Sequence, residues 1–385
     1  MDYPGFIGPS DPARSTTYNT ERTINLYLER GRAGTTPPSA AALYGTPGLR
    51  LFAALGGASV RGIFAQDQRA WAVAGDGLFE LFATGTFVRR GTVVDDGQPA
   101  TFASNGRQGH QLFVVSGRAG YILDLDTNTF TPITDPDFPA YALMGAFCDG
   151  YFLILNGDDN TFQISALEDG LDWDGLDVAL VSTSSDRVVS LAVSHRQVWL
   201  FGTRTIQPWY NSGNPDFPFE PIGGVFIEQG ILAPWSVAPL ADTLIWMGWD
   251  VHGSGLVVQA NGYTPVPVST AAVEDALRRY RSLQAETALS DVIAWTYQED
   301  GHAFYVLYLP QGPLAGSGVD HTSWVYDVTE QAWHERALWN DTTQAWEPDL
   351  PRCHAFMWGK HLVGDRARGT VYAQALEVYD EAVSA

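Results

Sequence analysis

The sequence predicts an all-β fold, a seven-bladed β-propeller of four-stranded antiparallel blades with one short helix and long loop insertions. Three observations predict it: a composition of turn formers and aromatic residues, an apolar strand that recurs along the chain, and a surplus strand near one end that matches a missing one near the other. The 385 residues include 39 Gly and 22 Pro beside 13 Trp, 16 Tyr and 19 Phe. Aromatic residues favour pleated surfaces and Gly and Pro favour tight turns, so short strands are expected in place of long helices.

The recurring strand reads WAVAG at Trp71, LFVVSG at Leu112, FLILNG at Phe152, VWLFG at Val198, LIWMG at Leu244, FYVLYL at Phe304 and LVG at Leu362. Successive starts lie 41, 40, 46, 46, 60 and 58 residues apart, close to the length of one four-stranded blade. The flanking segments also read as strands. In the second unit ATFAS precedes LFVVSG, and GYILDLD and TFTPIT follow it; the fourth unit repeats the plan with VVSLAVS, VWLFG, IQPWY and FEPIG. Seven such meanders close radially into a disc that leaves few exposed sheet edges.

Closure is expected from the N-terminus. The strand Leu49 to Ala54 has no unit of its own, while the seventh unit, HAFMWG, HLVGD and TVYAQAL, lacks a fourth strand. INLYLE, from Ile24 to Glu29, is a second candidate for the same blade. The domain plan is therefore an N-terminal arm over 1–47, a propeller over 48–377 closed by strand 49–54, and a tail over 378–385.

Two insertions, 209–235 and 270–287, interrupt the blades. Residues Thr270 to Glu286 read as a helix: Thr270 caps it, Glu274 and Asp275 suit its N-terminal dipole, and Val273, Leu277 and Tyr280 share one face. Glu274 with Arg278 and Asp275 with Arg279 stand at pairing distance, which accounts for the arginine cluster without a partner or DNA contact. The stretch from Trp209 to Trp235, rich in Pro, Gly and aromatic residues, reads as a loop too long for an ordinary blade connection.

The net charge is −22, and of 22 basic residues only Lys360 is a lysine. A DNA grip needs cations clustered on one face, and no basic run occurs apart from Arg278, Arg279 and Arg281. The N-terminus has neither the basic start nor the apolar run of a secretory signal, and no stretch approaches eighteen apolar residues. A chain soluble where it is made is expected. Cys148 and Cys353 are too few and too far apart for a disulfide framework or a zinc finger, and read as core residues.

Signatures of catalysis are weak. No GxSxG elbow, GxxxxGK[ST] loop, GxGxxG after a strand or HExxH helix occurs. Asp124, Asp126 and Asn128 begin like a calcium loop, but Thr129 stands where Gly is needed and Asp135 where Glu is needed, so a turn between strands is expected. The acidic stretch Glu168, Asp169, Asp172, Asp174 and Asp177 reads as a solvated loop, with a cation site as the alternative. Cys353, His354 and His361 lie close in sequence but fit no usual zinc spacing. No cofactor, metal or catalytic residue is assigned, and the chain is expected not to be an enzyme.

Several blocks carry a family resemblance: RTINLY at Arg22, YGTPGLRLF at Tyr44, VRGIF at Val60, WYNSGNPDFPF at Trp209, FIEQGILAPWSVA at Phe226, DGHAFYVLYLP at Asp300, WVYDVTEQAWHER at Trp324 and LVGD at Leu362. In this order, from about residue 22 to 380, the chain resembles the packaged-DNA stabilisation or tail hub family of short-tailed phages related to the Salmonella podoviruses. The resemblance implies a structural virion protein, made in the host cytoplasm and located in the tail. It implies a propeller subunit of a sixfold ring, a nozzle below the adaptor and portal that retains packaged DNA and conducts it during ejection. Implied partners are further copies of itself, the head-to-tail adaptor, a tail fibre, spike or plug protein, and packaged double-stranded DNA that passes without tight binding. The chain ends soon after GTVYAQAL, earlier than the members it resembles.

The residues expected at assembly contacts lie in the two insertions, because insertions on a rigid scaffold are where binding usually resides: Trp209, Tyr210, Phe217, Phe219, Phe226, Trp235, Arg278, Arg279 and Arg281. Acidic turns, namely Asp95, Asp96, Asp158, Asp159, Asp172 and Asp174, are candidates for the channel lining, since an acidic wall keeps a duplex mobile. The alternative from another class is a carbohydrate-binding or glycan-cleaving propeller, for which exposed Trp clusters with two carboxylates between them would speak.

Overall fold

The computed structural model describes residues 7–12, 21–31, 41–181, 186–240, 242–249, 253, 255–282, 286–310, 323–342 and 344–378. Seven antiparallel blades stand in a ring, spanning residues 60–92, 101–132, 142–180, 188–221, 238–267, 293–348 and 351–375. The recurring apolar strand is the second strand of every blade: Arg69–Ala74, Gln111–Ser116, Tyr151–Asn156, Gln197–Gly202, Thr243–Trp249, His302–Tyr308 and Lys360–Asp365. This strand has a neighbour on each edge and another blade against each face, so it loses the polar alternation of a half-exposed strand. Trp71, Phe113, Phe152, Phe201, Trp246 and Tyr305, one from each of six such strands, are at most 1% exposed.

The core is distributed among the seams between blades. Seven hydrophobic clusters occur, and each joins one adjacent pair. At the seam of blades five and six, for example, Ile245, Met247 and Val257 pack against Tyr305, Leu307 and Trp324. The hairpins joining first to second strands are often two-residue turns with both residues at positive φ, as at Asp149–Gly150, Asp300–Gly301 and Trp358–Gly359. His195–Arg196 and Asp67–Gln68 adopt the same turn without glycine.

Gly48–Ala54 pairs antiparallel with Thr370–Ala375, from Leu49 opposite Gln374 to Ala54 opposite Thr370. The seventh blade thus takes its fourth strand from the start of the chain. INLYLE lies elsewhere than in that blade's ladder. Leu26–Arg30 pairs with Ala41–Gly45, and Ile24 bridges to Glu335 on the fourth strand of blade six, Ala332–Asn340. The anchor is Glu335, only 1% exposed, whose carboxylate accepts from Ser10 Oγ (2.6 Å) and from Arg22 Nε (2.9 Å) and Nη2 (2.7 Å). Tyr27 then packs in the seam of blades six and seven.

Blade six has five strands, because Ala332–Asn340 runs on to pair with Ala345–Pro348. That extra hairpin lengthens the last interval of the repeat, and the helix lengthens the one before. The helix runs from Ala271 to Ser282, with Val273, Leu277 and Tyr280 buried against blades five and six. Two details of its expected chemistry differ. Asp275 pairs with both Arg278 and Arg279, whereas Glu274 accepts from Ser269 Oγ at 3.0 Å. Thr270 contributes its carbonyl to Glu274 N while its hydroxyl finds no partner. Residues 283–285 of the predicted helix and 379–385 of the tail lie outside the described residues.

Two further expectations are corrected. The stretch 209–235 is only partly an insertion, because the segments IQPWY and FEPIG expected as strands of the fourth unit are its outer strands, Ile206–Asn211 and Phe219–Pro221. The acidic stretch is a strand too: Asp169–Leu180 is the twelve-residue outer strand of blade three. Its Trp173 is 3% exposed and faces the core, which holds the carboxylates on the outside.

Candidate functional site: the axial face

One face of the disc carries the connections between blades and the turns between second and third strands, and hydrogen bonds stitch the two sets together. Arg61, on the innermost strand Val60–Gln66 of blade one, is the largest knot. Its side chain is fully buried and donates to the carbonyls of Gly75 (2.8 Å), Gln98 (3.0 Å) and Val94 (3.1 Å) and to Ser116 Oγ (2.7 Å). Asp95 at 3.2 Å and Asp96 at 3.4 Å flank it. Burial pulls the guanidinium below its ordinary pKa, and the two carboxylates act against that. Asp186 is a second knot, accepting from the backbone N–H of Arg204 (2.9 Å) and Thr205 (2.8 Å) and from the hydroxyls of Thr203 and Thr205. Burial raises its pKa, but these bonds together hold it below the usual carboxylate range.

A cavity of about 250 Å³ lies on the axis, lined by Gly62, Thr101, Met144, Leu191, Val237, Trp295 and Cys353, one residue from or beside the innermost strand of each blade. Among the described residues that line it there is no carboxylate beside the rings of Trp235 and Trp295. A duplex whose major groove alone is about 12 Å wide does not fit such a space.

The predicted site residues divide by place. Asp95 and Asp96 are held by Arg61, and Asp158 and Asp159 form a turn on the same face, where Asp159 accepts from Thr161 N at 2.9 Å. Asp172 and Asp174 lie away from them, on the rim of blade three. Of the predicted contacts, Trp209 (7% exposed) and Phe219 (2%) belong to the core, with Phe217 and Trp235 packed partly buried against them. The rings of Trp209 and Phe219 are turned away from solvent, because the outer strands of blade four use them to close its seam with blade three. Tyr210 (40%) and Phe226 (43%) are exposed. Arg278 and Arg279 are paired with Asp275, and Arg281 donates to the Gly253 carbonyl with its guanidinium 4.6 Å from the Trp249 ring.

Sequence reasoning passed over Arg61, Glu335 and the Arg336–Asp349 ion pair, 2.8 Å apart with both side chains buried. The available signal was a charge inside an apolar strand, as in VRGIF and AWHER. Among the described residues no three His, Cys, Asp or Glu gather as a metal site. Asp124 accepts from the backbone of Asp126 and Thr127, which makes DLDTN a turn. Cys148 is buried, Cys353 half-buried, and both are free thiols.

Three histidines lie along the seam between blades six and seven, His354 on the innermost strand beside the axial cavity, His361 on the next strand and His334 on the fourth strand of blade six. His354 Nε2 lies 2.9 Å from His361 Nδ1, and the ring of His354 stacks on Trp295. Burial pushes His334 and His354 down to about 3 and lowers His361 as well. A base held neutral by the fold but free to protonate in the unfolded chain costs stability as pH falls below about 6.5. The melting temperature is therefore expected to drop steeply between about pH 6.5 and 4, with His334 alone contributing on the order of 5 kcal/mol at the acid limit. His334→Asn should flatten that slope in a pH series of thermal melts; an unchanged slope would refute the assignment.

Comparison with known proteins agrees with this architecture. Residues 9–377 match the family described as bacteriophage P22 Gp10, beta-propeller. No curated protein matches. Among solved structures, the selenomethionine-substituted virginiamycin B lyase from Staphylococcus aureus superposes with a TM-score of 0.51 at 8% identity, covering 82% of this chain and 94% of that one. At that identity the likeness is one of fold alone. The match across nearly the whole chain, on a ring of seven blades, makes this protein a phage structural protein of the P22 Gp10 β-propeller family.

Proposed function

We propose that the chain is a subunit of the phage tail hub or nozzle, one of six copies in a ring below the adaptor and portal that retains packaged DNA and conducts it during ejection. The family match over residues 9–377 carries this reading. The structure supports it physically in two ways. A closed ring of blades without a free first or last sheet is a stiff building block. Its own axis is too narrow for a duplex, so the DNA path would run between copies and past their outer surfaces.

A net charge of −22 per copy gives that path a repulsive wall, with fields that persist over a Debye length of about 8 Å at physiological salt. Arginines held by carboxylates, as at Arg61, Arg69 and Arg90, leave little cation free to grip phosphate. The adaptor above and a fibre, spike or plug protein beside or below are the proposed partners, in the virion tail.

Imaging of purified particles with the protein labelled, together with a low-salt titration against duplex DNA, tests this. Label at the tail and no tight DNA binding are expected. Label on the capsid, or submicromolar DNA affinity, would overturn the reading.

A further inference from the structure

Several arginines set among the blades close on a carboxylate, as Arg22 does on Glu335, Arg69 on Glu80 and Arg336 on Asp349. Arg352 and Arg366 are arranged otherwise. Both line a cavity of about 310 Å³ on the axial face, beside the axial cavity, where blades six and seven meet the connection from blade one to blade two. Arg352 stands on the innermost strand of blade seven, Pro351–Met357, and Arg366 begins the turn after the second strand of that blade. Tyr308 and Pro310 of blade six, Gln98 of the connection and Asp291 complete the wall.

The two guanidinium groups are only partly used. Arg352 donates to Ser59 Oγ at 3.1 Å and to the Gly97 carbonyl at 3.4 Å, and among the described residues no carboxylate pairs with it. Arg366 bonds to Tyr308, while its carboxylate neighbour Glu347 stands 3.7 Å away, beyond hydrogen-bond range. The Nε of each arginine is buried without a hydrogen-bond partner. A buried charged donor without an acceptor is costly, and two on the wall of one cavity mark a place for an acceptor.

The nearby acids are engaged elsewhere. Asp291 Oδ1 accepts from Gln98 Nε2 at 3.1 Å, and Asp349 pairs with Arg336 at 2.8 Å. Two cations therefore meet one carboxylate on this wall, in a chain whose net charge is −22. Burial raises the Tyr308 pKa while Arg366 and Arg352 act against it, so the field of both cations reaches its hydroxyl.

We propose that this cavity binds a small, multiply charged oxyanion, a phosphate or a polycarboxylate, between Arg352 and Arg366. A guanidinium offers its Nε–H and one Nη–H as a planar fork that matches two oxygens of such an anion. The two forks come from different elements of the closing blade, so a bound anion ties that blade to blade six and to the connection beyond. The volume is that of a small-ligand pocket, with room for the anion and its waters. The assignment is independent of the tail-hub reading.

The test is calorimetric titration of the full-length protein with inorganic phosphate, citrate and chloride at matched ionic strength. Phosphate or citrate should saturate one site per chain with a Kd of about 1 mM or below, and the tighter of the two identifies the class. Chloride should give no saturable heat, because the acidic surface as a whole repels anions. Arg352→Gln and Arg366→Gln should each weaken binding at least about tenfold, whereas Arg196→Gln, on an exposed turn, should not. If Arg352→Gln fails to fold, Arg366→Gln on its half-buried turn carries the test. Saturable binding of neither oxyanion, binding unchanged in Arg366→Gln, or displacement of the bound anion by micromolar duplex DNA would each overturn the proposal.

Discussion

Deleting residues 1–55 is expected to abolish cooperative folding, not merely to lower its midpoint. The deletion removes Gly48–Ala54, the strand that completes blade seven, and bares the edge of Thr370–Ala375. Leu49 (0% exposed) and Ala53 (3%) leave the seams of blade seven with blades six and one, and Tyr27 leaves with the arm. Each large apolar side chain lost is worth about 1.5–3 kcal/mol, and the ladder bonds add to that. The sum approaches the whole stability of a typical protein, about 5–15 kcal/mol. The loss is also topological, because both neighbours of the opened blade lose a face they pack against. Calorimetry should show no cooperative transition for the 1–55 deletion. Deleting only residues 1–40, which spares the closing strand, should retain a transition at lower temperature. A 1–55 deletion that melts like the full chain would show that the ring does not depend on its closing strand.

The second large effect is expected at Arg61. Arg61→Met keeps the length and apolar stem of the side chain but removes the cation beside Asp95 and Asp96 and the donors to the Gly75 and Gln98 carbonyls, while the Val94 carbonyl keeps its bond from Ser116 Oγ. Asp95 and Asp96 are each about a third exposed and stay solvated, so the cost comes mainly from the orphaned buried carbonyls, about 1–3 kcal/mol each. Urea unfolding should register a loss of that size, with faster hydrogen exchange at 94–98. Adding Asp95→Asn and Asp96→Asn to Arg61→Met should change it by less than about 1 kcal/mol, because these carboxylates reach water. A loss below about 1 kcal/mol would mean that water reaches the two carbonyls and that the guanidinium does not tie blades one and two together.

Legibility followed burial. The second strands were readable because each is apolar along its whole length, whatever its partners. The outer strands were much less so. Asp169–Leu180 faces solvent with alternating leucine and aspartate, and its two glycines and four aspartates imitate a loop. FEPIG reads as the outer strand of its unit, and still Trp209 and Phe219 pass for surface, because composition does not show that the blade turns both side chains inward. An outer strand takes its structure from the ladder of the strand inside it more than from its own composition.

The candidate site was legible in its chemistry and not in its pairing. That Asp95, Asp96, Asp158 and Asp159 stand between strands could be read from their neighbours, but which face they share, and that Asp95 and Asp96 serve Arg61, could not.

The sequence by itself determined the number of blades, the spacing of their second strands, the surplus N-terminal strand and the excess of acid, because these are properties of local periodicity and composition. Only the tertiary structure decided which edge the N-terminal arm occupies, which carboxylate each arginine meets and which strands remain uncovered. Arg22 and Glu335 are 313 positions apart, and nothing in either neighbourhood specifies the other. Such a pair is set by the closure of the ring, which brings distant segments together through the burial of the seams and selects among many equivalent charges the few that end within reach.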